Sequence, residues 1–232
     1  WDVTHDGVRF AAYDFNSQPH IRLRMYIAHK TGLTKPEAVH IEMPDEAGWN
    51  RYLKLGRPAL AEQWSEELKL AGIDASASIP EKLRANLARQ MKFVREHPEV
   101  YVTFMPRGSG LTRLTQNERH ITQTRRRFML LGQTLAGQQA LDIRQCIAAT
   151  RQLDLCSDAP LELWGYGHTA SLVTVAALFE DGIRKINLRD YPATDKEQPD
   201  YLNISRFATP GQLLDLAKRR TQVNLLKKRG GQ

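Results

Sequence analysis

Gly165, Tyr166, Gly167, His168 and Thr169 lie in LELWGYGHTASLVTVAALF, residues 161–179. The stretch reads as a short apolar strand, a glycine-rich turn and an apolar helix. Chains place phosphate-binding loops and catalytic nucleophiles at such turns, and this one admits both readings. Gly165, Gly167 and Ala170 spell G-x-G-x-x-A, and Asp190 follows about twenty residues on, where a ribose-binding acid would stand. Glycines there would admit a pyrophosphate to the helix N-terminus. That fingerprint normally opens a domain, whereas only about forty residues follow Asp190. The second reading is a nucleophile elbow, G-x-S-x-G, in which a strained turn lifts a serine above the sheet. Gly165 and Thr169 take the flanking places, and Gly167 falls on the nucleophile. The frame is present and the reactive atom is missing.

Other reactive side chains are sparse. Ser109, in the turn RGSG, has no identifiable base, and serines between glycines are common in turns. His168 opens the helix after the elbow, where a helix N-terminus disfavours the imidazolium. It could bind an anion or a ligand hydroxyl, or simply pack against the next loop. No His, Asp and Glu group has metal-ligand spacing, so no metal or cofactor is expected. The two cysteines, Cys146 and Cys156, match no zinc or redox spacing. A disulfide between them is conceivable, but Cys146 reads better as a buried thiol on a helix.

The elements that must position these groups follow from periodicity. Residues 8–15 and 21–28 alternate about a short turn and predict two antiparallel strands. Residues 38–43 form a third strand ended by Pro44, and 45–58 read as a loop. Helices are predicted over 59–72, 81–96, 117–132, 138–153, about 168–180 and about 210–220. Strands are predicted over 99–105, 161–165, 183–190 and 222–226. From residue 99 on, strand and helix alternate, which predicts a parallel sheet covered on both faces. The expectation is an α/β three-layer sandwich of about seven mainly parallel strands with an antiparallel N-terminal hairpin.

The chain has 232 residues and 41% hydrophobic content, enough for one globular core. No repeat, low-complexity segment or composition break marks a boundary, so a single domain over 1–232 is expected. It begins at Trp1 without a signal-peptide pattern, which suggests a fragment or one domain of a longer protein. No apolar run is long enough for a membrane span. The net charge is +7, with clusters at Arg125–Arg127 and at Lys218, Arg219, Arg220, Lys227, Lys228 and Arg229. Neither has interleaved aromatics or a base-reading motif, so nucleic acid is an unlikely partner and solvated helix faces with a basic tail are the expectation.

Four pieces together resemble the α/β-hydrolase superfamily, particularly its acetyl-xylan-esterase-like and dienelactone-hydrolase-like branches. They are the antiparallel opening, VYVTFMPRGSGLT with its R-G-x-G turn, the helix GQQALDIRQCIAATRQL, and the elbow LELWGYGHTA. The resemblance covers most of the chain and implies a triad in the order serine, acid, histidine. The family's serine maps to Gly167. Its oxyanion donors map to the loop Pro44-Asp45-Glu46 and to His168. Pro44 has no amide proton, and Asp45 and Glu46 bring the wrong charge; a solvent-exposed acidic loop is the alternative. The seven histidines are His5, His20, His29, His40, His97, His120 and His168, and none follows the elbow helix. After the last strand comes only KKRGGQ. The resemblance makes Arg107 of the R-G-x-G turn a structural residue of the cleft, expected to hold loops by bidentate hydrogen bonds to an acid such as Asp142.

These readings imply a scaffold kept without its chemistry. The expected function is a degenerate, non-catalytic domain serving binding or assembly beside an esterase-type protein. The partner would be a catalytic domain of the same protein or another copy of the chain. The resemblance suggests a carbohydrate or ester ligand near Tyr166, Gly167, His168, Asp45 and Glu46, and a secreted or periplasmic location. One alternative is an active serine esterase, a carboxylic ester hydrolase completed by another segment. The other is a dinucleotide-binding module.

Overall fold

The computed structural model describes residues 1–113, 117–194 and 196–227. An eight-stranded sheet runs through the molecule in the order β1-β2-β3-β5-β4-β6-β7-β8. The strands are β1 (Asp2–His5), β2 (Val8–Gln18), β3 (Ile21–Lys30), β4 (Ala38–Met43), β5 (Glu99–Phe104), β6 (Leu161–Tyr166), β7 (Ile183–Arg189) and β8 (Gln222–Leu226). β1, β2 and β3 pair antiparallel, and β3 pairs antiparallel with β5. The pairs β5-β4, β4-β6, β6-β7 and β7-β8 are parallel. The eighth strand, absent from the sequence reading, is β1. It is four mostly exposed residues with no apolar alternation to announce them, joined to β2 through a tight turn at Asp6 and Gly7, both with φ above zero.

The described residues also hold seven α-helices, α1 (Glu46–Leu60), α2 (Ser65–Leu70), α3 (Glu81–Glu96), α4 (Glu118–Leu130), α5 (Leu135–Arg151), α6 (His168–Ala177) and α7 (Pro210–Lys218), and three single 3-10 turns. Here the structure corrects two expectations. Residues 45–58 are helix rather than loop, and the helix expected over 59–72 is the end of α1 followed by the separate α2. Asp45 caps α1 by accepting the Gly48 amide at 2.6 Å, and Glu46 suits the positive end of the helix dipole. Gly56, Arg57 and Pro58 look like a helix break in sequence but form a packing notch. A Cβ on Gly56 would lie 2.3 Å from the ring of Trp64, so only glycine lets the indole cross. The Arg57 guanidinium is turned inward onto the carbonyls of Asp74 and Ser78.

Helices flank the sheet on both sides. Beneath one face, α5 and α6 bury Ile143, Cys146, Ile147, Leu172 and Val173 against Val39, Ile41, Val102, Leu163 and Ile186. Full burial of each such aliphatic side chain is worth about 1.5–3 kcal/mol. On the opposite face, α1 and α2 bury Trp49, Leu53 and Leu68 against Tyr26 and Met105, while α3 packs Leu87, Met91 and Val94 on Val8. This second layer covers the antiparallel side of the sheet. Further along the same face, register aligns Tyr101, His40, Glu162, Lys185 and Gln222 in one row and Thr103, Glu42, Trp164, Asn187 and Asn224 in the next. A helix-covered face would be apolar; here the row residues satisfy one another. Glu162 takes Arg184 at 2.5 Å and Lys185 at 3.0 Å, and Asn224 donates to Asn187 at 3.0 Å. Burial alone would raise the Glu162 carboxyl, but hydrogen bonds from Lys185 and Arg184 outweigh it and hold the group below its ordinary pKa.

Candidate functional site

The parallel strands change direction of winding between β4 and β6. From β4 the chain crosses to β5 on one side; from β5 it returns to β6 on the other. Open α/β sheets bind ligands in the crevice beyond the carboxyl ends of such a strand pair. Met43 and Tyr166 end these two strands, so the elbow and the Pro44-Asp45-Glu46 segment meet there.

Gly167 alone links β6 to α6, with φ 53° and ψ −116°. This left-handed region is strained for any residue with a side chain and is the conformation that a nucleophile elbow demands. Nothing lies within 4 Å of where a Cβ on Gly167 would point. Gly165 is different. A Cβ there would lie 2.6 Å from the Cα of Ala170 and 2.8 Å from the Thr169 carbonyl, so its glycine lets α6 rest on β6. Thr169 locks the crevice: its hydroxyl donates to the Met43 carbonyl at 2.5 Å and accepts the Tyr166 amide at 2.8 Å. The Gly167 amide donates to the Arg189 carbonyl at 2.8 Å, and Asp190 follows at φ 53°.

The expected acidic loop beside the oxyanion position is corrected by the helix. Asp45 turns its carboxylate back onto Gly48, Pro44 is buried, and Glu46 is the first residue of α1. His168 is the first residue of α6. Its side chain keeps an exposed edge, yet partial burial, and then the charge of Arg125, hold its pKa below the ordinary imidazole value, while Asp200 pulls the other way. These surroundings disfavour the imidazolium form of His168. Above it α4 and the segment after β7 close a cavity of about 80 Å³, lined by Arg125, Met129, Thr134, Gln139, His168 and Asp200 among others. Pockets for drug-sized ligands run from about 300 Å³, so the enclosed part of this space has room for only a few waters.

Arg107 reaches Asp142 through Nε at 2.8 Å, Nη2 at 2.6 Å and its own backbone amide at 2.9 Å. Ser17 donates to Asp142 at 2.5 Å and accepts Arg107 Nη2 at 3.3 Å. Gln139 donates to the Arg107 carbonyl at 2.9 Å. The cluster ties β2, the R-G-x-G turn and α5 together beside the crevice. Ser109 donates to the Pro106 carbonyl at 2.5 Å within its own turn. Of the other imidazoles, His40 faces Glu99 at 3.2 Å and Glu162 at 3.6 Å, near the opposite ends of the strands from the elbow. Among the described residues no group of three or more His, Cys, Asp or Glu could hold a metal ion, and no helix is long and apolar enough to cross a membrane. Both cysteines are free thiols and buried, so the conceivable disulfide is absent. Lys228 and Arg229 of the basic tail lie outside the described residues.

Sequence reasoning missed Ser17, Glu42, Arg189 and Asp200, and read Arg125 only as part of a solvated basic cluster. The Tyr166 hydroxyl feels the Glu42 carboxylate, and its ring lies under the Arg189 guanidinium at 5.3 Å. Burial first and then Glu42 push the Tyr166 hydroxyl far above its ordinary pKa. The strand register would have placed Glu42 and Tyr166 on one face; Arg125 and Asp200 carry no local signal.

No protein-family model matches the chain, and no curated protein matches it. Solved structures do. A Bacteroides fragilis protein assigned as an acetyl xylan esterase is 13% identical, with 99% of this chain and 68% of that chain covered and a TM-score of 0.61. Acetyl xylan esterase 1 from Thermoanaerobacterium is 14% identical, with 97% and 69% covered and a TM-score of 0.50. An acetyl xylan esterase from Paenibacillus is 8% identical, with 94% and 60% covered and a TM-score of 0.51. At these identities the likeness is one of architecture, and it agrees with the sheet order, the antiparallel opening and the elbow: the chain has the α/β-hydrolase fold.

Proposed function

We propose that this chain is a non-hydrolytic α/β-hydrolase domain that serves binding or assembly beside an esterase-type protein. One observation carries the reading: the nucleophile's place is Gly167, in elbow geometry, with empty space where the reactive side chain would stand. Its surroundings agree. Asp45 faces its own helix, His168 is on the nucleophile's own helix rather than beyond a later strand, and Ser109 hydrogen-bonds within its turn. The ligand, on this reading, is an ester or a carbohydrate presented to the catalytic domain of the same protein or to another copy. The test is exposure of the purified chain to a fluorophosphonate probe and to 4-nitrophenyl acetate. The expected result is no labelled serine and hydrolysis at the rate of unfolded chain. A labelled serine, mapped by peptide mass, refutes the reading.

A further inference from the structure

A groove of about 730 Å³ runs between α1 and α3, on the side of the sheet away from α5 and α6. Its lining holds three cations, Arg51, Lys54 and Arg89, and no carboxylate. All three are exposed, and no ion pair engages them among the described residues. Between them Leu55 and Leu83 are half-buried, and Phe93 stays 47% exposed. At Lys54 the groove continues into a depression of about 580 Å³. That end adds Lys82 and one carboxylate, Asp74, which already accepts the Ser76 amide at 2.8 Å and hydroxyl at 2.7 Å. From Ala47 to Arg57 the α1 wall is about 15 Å long at 1.5 Å per residue, close to three turns.

These features select one occupant. Cations of one sign flanking apolar side chains call for a ligand with carboxylates on one side and apolar groups on the other. Both walls are helices whose backbone hydrogen bonds are internal, so an extended peptide would find no backbone partners there. A helix brings its own backbone bonds and packs its ridges between those of α1 and α3. We propose that the α1–α3 groove docks an acidic amphipathic helix of another polypeptide segment. The groove walls are remote in sequence from the elbow, although the Arg51 charge reaches the Tyr166 hydroxyl, and the proposal stands whether or not the elbow cuts a bond.

The experiment pans a displayed library of helical peptides about 14 residues long, roughly 21 Å of helix, against the folded chain. A parallel selection uses the Arg51→Glu/Lys54→Glu/Arg89→Glu variant, whose exposed substitutions leave both cores intact and whose fold is checked by circular dichroism. The expected result is enrichment of peptides with Asp or Glu on one face and Leu or Phe at helical spacing on the other, binding the variant at least tenfold more weakly. Three outcomes overturn the proposal: no enrichment, enriched peptides without acidic residues, or equal binding to the variant. A concentration-dependent dimer that the charge reversal abolishes also overturns it, by placing a second copy in the groove.

Discussion

Asp142, with none of its surface open to solvent, receives both prongs of the guanidinium of Arg107 from 35 residues earlier in the chain. The pair joins the turn after β5 to α5, and Ser17 brings in the end of β2. Removing the carboxylate strands a nearly buried cation. Asp142→Ala should cost about 3–5 kcal/mol of folding stability, read from the urea midpoint at unchanged slope. A loss below about 1 kcal/mol would mean that water replaces the carboxylate and the pair is a surface ornament.

The two elbow glycines should fail differently. Gly165→Ala drives a methyl into the backbone of Ala170, so β6 and α6 must part, and about 1–3 kcal/mol or more is lost. Because the obstacle is a Cα, adding Ala170→Gly should not restore stability. Gly167→Ala meets empty space, and its cost of about 1–3 kcal/mol comes from backbone strain alone. Rescue of Gly165→Ala by the second substitution would show that a side chain sets the contact.

Gly167→Ser puts a hydroxyl where the elbow would hold one. With no imidazole placed to take its proton, the variant should fold with a reduced thermal midpoint and remain unlabelled by a fluorophosphonate. Labelling of the variant above wild type would reveal a base within reach and reopen the catalytic reading.

Much of this was legible beforehand, for identifiable reasons. α3 was readable to the residue because Leu83, Leu87, Met91 and Val94 keep helical spacing between two prolines. The elbow was readable because Gly165 and Gly167 answer separate local demands, one steric and one conformational. α1 was missed because Gly56 and Pro58 are local breakers, and the reason for Gly56, admitting Trp64, is tertiary. Without α1 in view, a capping aspartate at position 45 reads as a loop acid. Ser17 was invisible because its partner is 125 residues away. The three-layer expectation identified the helices on both faces, but no sequence period reports that polar rows take over across β4, β6, β7 and β8.

The thiols should be silent in the native protein. Burial pushes Cys156 up to about 11 and Cys146 higher still, so neither forms appreciable thiolate at neutral pH. Ellman's reagent should find no fast-reacting thiol in the folded chain and both in guanidinium. A fast thiol before unfolding would contradict the burial of Cys146 on α5 or of Cys156 in the turn that follows it.

His168 sets a sign for pH dependence. Its folded pKa lies below the unfolded value near 6.5, so the unfolded chain binds the extra proton first. Its stabilising contribution is therefore complete above that value and is lost as the pH falls through it toward the folded pKa. His29, depressed mainly by burial, acts with the same sign. His168→Gln should flatten, without abolishing, the decline in thermal midpoint between pH 7 and 5. The NMR titration of His168 should have its midpoint below 6.5, and a midpoint above 6.5 would refute the assignment.

The position of β8 at the end of the strand order has a consequence for colloidal behaviour. Among the described residues no strand pairs with its outer row of amides and carbonyls; of the cations beside it in the chain, Lys218 and Arg220 are paired with Asp215 and Asp181, which leaves Arg219 and Lys227 to fringe the edge. Like charge keeps a second such rim at a distance, as edge lysines do elsewhere. That protection reaches only as far as the Debye length, about 10 Å at 0.1 M salt and about 3 Å at 1 M. Raised ionic strength should therefore let two such rims approach one another more closely.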